Sequence, residues 1–447
     1  MNDWSDADTK VDHAHELYEQ GRWAEAAAEL RAAIDINPYN ASWHFNLGLT
    51  LEAMQKHQQA AQAFLGALDL DGNDIETLNC LGVNMTRQGK YNRALEHFAQ
   101  IEQLDPAYEP AYCNRIITYT EMGDHEKAEL MFYLARQAKD ECSLCSYNIG
   151  TSLYARGLYG RAVNCWKQAL RLDPLHSQAN VRIAEGYWAM GRLGEARKYY
   201  QAELRLDPGD IDTLLDLGEL LGDSGAYDGA AEKFRRVLEL DADNVEAQIC
   251  LGELAVKRGD LAKAERRFHK VLRLDPGCIG AHARLAKVYL ARRQVRKAAG
   301  HLMIELKRCG DDPAMLEELG RLLLEAHMIR QANSVLQRLV GLSPDDAHAQ
   351  HNLGVSFFKL RRMEEGIRHC RRAIKLKPEY PLALYNLALA HFQKGSVARA
   401  RWYVSRARSI APDNKQIRRL AKRLGMEGLW SKVRRRLGLL RRRWIHD

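Results

Sequence analysis

Proline is scarce in this chain, 11 of 447 residues, and aromatic residues make up only 8%. No stretch approaches the roughly 18 apolar residues that a membrane-spanning helix needs. The opening "MNDWSDADTK" lacks a basic segment followed by an apolar core, so no secretory leader is expected. Nine cysteines, an odd number scattered along the chain, do not read as a disulfide framework and suit a reducing cytoplasm. A phosphate-cradling loop is missing too: "GK" at 89–90 runs into Tyr91, and Asn84 stands where the upstream glycine belongs. Cys142 and Cys145 form one CxxC with no second pair, which reads as buried or surface thiols. His348 and His351 share a helix face, but no carboxylate stands at a metalloprotease spacing, and that face reads as polar groove surface. From these gaps we expect no enzyme, cofactor, metal site or small-molecule substrate.

What the chain does have is register. "FNLGLT" at 45–50 returns as "HNLGVSF" at 351–357, and Asn46 and Asn352 are separated by nine times 34 residues. Eight of the eleven prolines fall in one 34-residue column that includes Pro38, Pro106, Pro174, Pro208 and Pro412. Twelve residues earlier runs a column from Ala26 to Ala400 that is alanine in every unit except Gly366. The chain is therefore twelve 34-residue repeats over 7–414, after a lead-in of 1–6. Apolar steps of three and four, with a turn glycine such as Gly225 between them, make each repeat a pair of helices. Small residues at position 8 (Gly48, Gly82, Gly150) and position 20 let the two helices approach. Large ones at position 24 (Phe64, Phe98, Trp166) fill space toward the next repeat. Repeat 4 departs from the pattern at Arg115, Ile116 and Asp140. Repeats 9 to 11 put Arg293, His327 and Arg361 at the turn, so looser or re-angled packing is expected there.

Leu-Gly at positions 7–8, Gly at 15, Ala at 20, an aromatic at 24 and Pro at 32 resemble the tetratricopeptide repeat. The resemblance implies an all-α fold: a right-handed superhelical solenoid of antiparallel helix pairs. First helices would line a concave groove, at positions 2, 5, 6, 9, 12 and 13. Position 6 holds Asn46, Asn114, Asn148, Asn352 and Asn386. A carboxamide both donates and accepts, so it can grip a peptide backbone without reading its side chains. The series is similar to the asparagine ladder of O-linked N-acetylglucosamine transferases, but is broken by Arg182, Asp216 and Arg284 and lacks a catalytic domain. Position 9 carries Glu185, Glu219 and Glu253, then Lys287 and Arg321. This reads as an acidic floor for a basic segment followed by a basic floor, or as a solvated charged face. Tyr147, Tyr154, Trp188, Phe358 and Tyr385, with His351 beside them, read as groove anchors or as packing between neighbouring helices.

The net charge of +8 is a property of the C-terminus: residues 415–447 carry +10 and residues 1–414 carry −2. Residues 415–425 read as a capping helix, with Ile417, Leu420 and Leu424 inward. Residues 426–447 read as a basic amphipathic helix, with Trp430 and Trp444 flanking Arg434, Arg435, Arg436, Arg441, Arg442 and Arg443. Such a helix suits an anionic membrane surface, a packed cap, or a polyanion such as nucleic acid. The sequence thus predicts a non-catalytic scaffold that binds a protein or peptide in its groove, tethered by its tail at a membrane surface. The alternative is a polyanion adaptor working through the arginine-rich helix.

Overall fold

The computed structural model describes residues 3–138, 141–176 and 178–426. Among these residues every regular element is an α-helix, and no helix is long and apolar enough to cross a membrane. Helices come in pairs at the spacing of the repeat, from Asp3–Glu19 with Trp23–Ile36 to Pro381–Gln393 with Val397–Ile410. Lys415–Arg423 follows the last pair and buries Ile417, Leu420 and Ala421. The chain divides into two compact units, residues 1–233 and 234–447, each built from such stacked pairs.

Most first helices start on side-chain caps, whereas Glu109–Glu121 and Pro381–Gln393 start without one and carry proline in the first turn. Asp210 accepts from the backbone N–H groups of Asp212 and Thr213 at 3.1 and 3.3 Å, and Asp312 from Met315 at 2.8 Å. Between the helices of a pair the backbone passes through one left-handed residue, such as Gly89 or Gly191 at φ 72°. Gln55, Arg293, His327 and Arg361 occupy that place in four pairs and still take φ between 59° and 63°. The turns of repeats 9 to 11 thus follow the same backbone path as the glycine turns. The geometry is kept, against a left-handed penalty of about 1–2 kcal/mol per residue. In repeat 4, Ile116 is fully buried where other repeats have Gly or Ala, and Arg115 is paired with Glu102.

The packing rule differs from the sequence expectation in one respect. The ring at position 24 lies over the position 8 glycine of its own pair. A Cβ on Gly82 would sit 2.5 Å from the Phe98 ring, and one on Gly252 would sit 2.5 Å from Phe268. Trp166 does both jobs. Its indole covers Gly150 at the same 2.5 Å and reaches Gly186 of the next pair, where an added Cβ would lie 3.3 Å from the ring. Gly366 breaks the alanine column because Phe358 occupies the space that a Cβ would need.

Pairs 6 and 9 use a second device. Their first helices, Ala179–Ala189 and Ala281–Ala291, begin after left-handed Gln178 (φ 67°) and Gly280 (φ 81°), without a side-chain cap. In pair 9 a buried glutamate supplies the acceptor. Glu305 is 1% exposed, and its carboxylate takes the N–H groups of Gly280 at 2.7 Å and Ala283 at 3.1 Å. Glu203, three repeats earlier at the same position, accepts from Asn180 Nδ2 at 3.1 Å.

Candidate functional site

Three predicted groove residues come together in the first unit. Tyr154, Glu185 and Trp188 line one open hollow of about 470 Å³, together with Ala189, Tyr200 and Asp216. Tyr154 belongs to Ser143–Ala155, Glu185 and Trp188 to Ala179–Ala189, and Asp216 to Ile211–Asp223. One face of three successive first helices thus forms the wall. Tyr200 rises from the second helix Leu193–Leu206 beneath it.

The electrostatics of this hollow are uneven. Arg182 Nη1 pairs with Glu185 at 2.9 Å, while its Nε donates to the Tyr147 hydroxyl at 3.4 Å. Tyr147 in turn stacks on His176 with ring centroids 4.5 Å apart. Asp216 makes no ion pair among the described residues. Burial, and then the charges of Glu185, Glu219, Asp212 and Asp210, push its carboxyl up to about 6. Tyr200 is fully buried; its hydroxyl has no well-formed hydrogen bond among the described residues, and burial and the nearby Asp216 carboxylate push its pKa up. Tyr154 packs on Trp166 at 5.7 Å and on Tyr159 at 5.1 Å, which fixes the aromatic side of the hollow.

The expected row of mutually repelling glutamates needs correction. Glu185 is neutralised by Arg182, and in the second unit Arg284 Nε meets Glu253 Oε1 at 2.7 Å. Both arginines stand at position 6, where they interrupt the asparagine series, so these interruptions answer the acids of position 9. The basic floor is reduced as well. Arg321 is held within its own helix by Glu318 at 2.7 Å and Glu325 at 3.7 Å. Lys287 stays exposed and borders a hollow of about 320 Å³ with Glu253, Arg284, Met315 and Leu319.

The asparagines do not act as one series. Asn46 is half-buried and lines a hollow of about 120 Å³ with Val11, Tyr18 and Leu30. Asn114 donates to Asn79 Oδ1 at 2.8 Å, and Asn148 is half-buried. Asn386 Nδ2 donates to His351 Nε2 at 2.9 Å, which leaves the ring proton on Nδ1, facing Asn352 Oδ1 at 3.3 Å and the Tyr380 hydroxyl at 3.2 Å. His351 is only 6% exposed, so it is a buried polar knot between pairs 11 and 12, and not the groove surface the sequence suggested. Burial and nearby His348 hold its imidazole down at about 4, against the hydrogen bond of Asn352. Phe358 packs on Gly366, and Tyr385 is half-buried against the same core. The tail residues Trp430, Arg434, Arg435, Arg436, Arg441, Arg442, Arg443 and Trp444 lie outside the described residues.

Sequence reasoning missed Tyr200 and the role of Asp216, and it missed a cysteine partner. Cys113 is joined to Cys145, 32 residues on, with Cα atoms 5.0 Å apart. That pair corrects the reading of these cysteines as unlinked thiols. The signal was a separation close to one repeat, which places both residues on adjacent first helices.

Models of the tetratricopeptide repeat match residues 14–55, 42–74, 147–211, 221–269, 255–303, 317–381 and 366–415, together more than half of the chain. Peroxisome biogenesis protein 5 of Arabidopsis thaliana is 32% identical over 97 residues, 22% of this chain and 13% of that protein. Tetratricopeptide repeat protein 8 of Caenorhabditis elegans is 22% identical over 154 residues, 34% of this chain and 30% of that protein. The matches thus span less than a third of these curated relatives. Among solved structures, yeast Tom70 is 13% identical, with 96% of each chain covered and a TM-score of 0.45. The chain belongs to the tetratricopeptide repeat family.

Proposed function

We propose that this protein is a non-catalytic interaction scaffold whose first unit receives a lysine or arginine side chain of a partner protein or peptide. The observation that carries the reading is the hollow of Tyr154, Trp188, Tyr200 and Asp216. Aromatic faces attract a cation through their quadrupole, by about 0.5–2 kcal/mol each according to desolvation. Asp216 supplies the opposite charge, and the buried Tyr200 closes the hollow beneath it. A guanidinium or ammonium group meets the ring faces and that carboxylate at once.

A fluorescein-labelled (Gly-Lys)4 peptide, with (Gly-Gln)4 as control, tests this by anisotropy on the full chain. Asp216→Asn is expected to weaken the lysine peptide at least tenfold, and Trp188→Ala about 5- to 30-fold. Because the Asp216 carboxyl titrates near pH 6, affinity for the lysine peptide should fall as pH drops through that value. Equal affinities for the two peptides, or variants that bind like the parent, would remove the hollow from the account.

The sequence of residues 426–447 supports a second contact, in which the arginine triplets rest on an anionic membrane surface at on the order of 1 kcal/mol per basic residue. Flotation with vesicles containing phosphatidylserine should carry the full chain and leave a 1–425 truncation behind. Identical flotation sinks the tether, and binding of the full chain to RNA but not vesicles would favour the polyanion alternative.

A further inference from the structure

Three sulfurs meet where the fourth and fifth helix pairs adjoin. Cys113 comes from the helix Glu109–Glu121, Cys142 is the N-cap of Ser143–Ala155, and Cys145 lies in that helix's first turn. They are 5%, 4% and 0% exposed, and their Sγ atoms all lie within 4.8 Å of one another. Cys142 Sγ stands 3.5 Å from Cys113 Sγ, and the backbone N–H of Cys145 donates to Cys142 Sγ at 2.9 Å. Cys113 and Cys145 form the disulfide in this state.

We propose that the reduced triad Cys113, Cys142 and Cys145 is a binding site for one thiophilic monovalent cation, Cu(I). Thiolates are soft ligands that select Cu(I) and Zn(II) over oxygen-preferring cations. With metal–sulfur bonds of about 2.3 Å, three donors around one ion stand roughly 4 Å apart, a triangle these sulfurs can form once the Cys113–Cys145 bond is reduced and the two part. The donor number then separates the two metals. Structural Zn(II) takes four ligands, whereas the described residues bring three sulfurs together here. Burial of all three sulfurs keeps water from serving as the fourth ligand. Cu(I) is content with three. The N–H donated to Cys142 and the positive end of Ser143–Ala155 stabilise thiolate charge at the site.

The chemistry balances with a small-molecule thiol as reductant. Two RSH give two electrons and two protons to the Cys113–Cys145 bond, leaving two protein thiols and RSSR. Three thiols then release three protons as the cation binds. The bound ion ties Glu109–Glu121 to Ser143–Ala155, as the disulfide does in the oxidised state. This assignment is independent of the hollow at Asp216.

The test uses the full chain, reduced and desalted without oxygen, and titrated with Cu(I) against bicinchoninate, whose violet complex reports the copper not yet taken. One equivalent should be withdrawn by the parent protein and at least 100-fold less tightly by Cys113→Ser and Cys142→Ser. Both variants keep Cys80, Cys165, Cys250, Cys278, Cys309 and Cys370, so those residues act as an internal control. X-ray absorption on the loaded parent chain needs no variant and should show three sulfur neighbours. Unchanged uptake by both variants, two-sulfur coordination, or preference for Zn(II) in direct competition would overturn the assignment.

Discussion

Trp166→Ala is expected to lower the unfolding free energy of the first unit by about 3–5 kcal/mol. The indole is 1% exposed and serves two interfaces at once, over Gly150 in its own pair and against Gly186 in the next. Gly150 leaves room for that ring, and Gly186 for the ring and the Val163 side chain, so truncation opens a cavity that neither backbone can fill. It also removes one of the hydrogen bonds to the Tyr147 carbonyl, which accepts the indole N–H at 3.0 Å and the Thr151 hydroxyl at 3.4 Å. Trp166→Phe should be far milder, about 1–2 kcal/mol, since Gly82 already works with Phe98 and Gly252 with Phe268. Urea unfolding followed by circular dichroism measures both. An alanine variant within 1 kcal/mol of the parent would mean that the stack closes over the gap, and that the ring is not the joint proposed here.

The architecture was legible because a stacked repeat writes each contact many times over. Twelve appearances of one column outweigh any local propensity, and a neighbour that serves as template tolerates no slip. Size complementarity was legible too, but its direction was not. Position 8 and position 24 lie 16 residues apart, and periodicity alone does not say whether the ring closes on its own pair or the next. The site was harder for a physical reason. A repeat shows what its members share, whereas this hollow sets the shared position 24 ring of Tyr200 beside two residues the repeats do not share, Asp216 and Trp188, from the helices on either side of it. Asp216 registered only as an interruption in the asparagines. Arg182 and Arg284 registered the same way, though each neutralises a glutamate. Glu203 and Glu305 were visible in principle, being the two acids in a column otherwise filled by apolar residues. Their meaning as acceptors at uncapped helix starts needed the backbone.

Acid should destabilise the second unit well before its surface carboxylates protonate. His351 has its imidazole near 4 in the folded state, against an ordinary 6.5, because it is buried among Tyr380, Asn352 and Asn386. His301 is held at about 4 as well, by burial and by the neighbouring His282 and His269. A histidine lowered in this way is favoured neutral by the fold, while the unfolded chain takes up the proton. Its contribution is complete above pH 6.5 and is lost as pH falls toward 4. For buried His351 the full span corresponds to about 3 kcal/mol, of which about 2 kcal/mol is gone by pH 5. His301 is half-exposed and adds in the same direction. Asp216 acts oppositely in the first unit. Its raised carboxyl makes the charged form unfavourable, so protonation between pH 6 and 4 relieves that unit. Urea midpoints should therefore fall more between pH 7 and pH 5 for a probe in the second unit than for one in the first, where half-buried His97, also held below its ordinary range, opposes Asp216. His351→Gln, which keeps an amide for Asn386 and cannot charge, should remove about 2 kcal/mol of the loss between pH 7 and 5 and leave the part due to His301. If its pH dependence matches the parent's, the buried imidazole is not the group that responds, and the three-histidine contact of His269, His282 and His301 becomes the next to change.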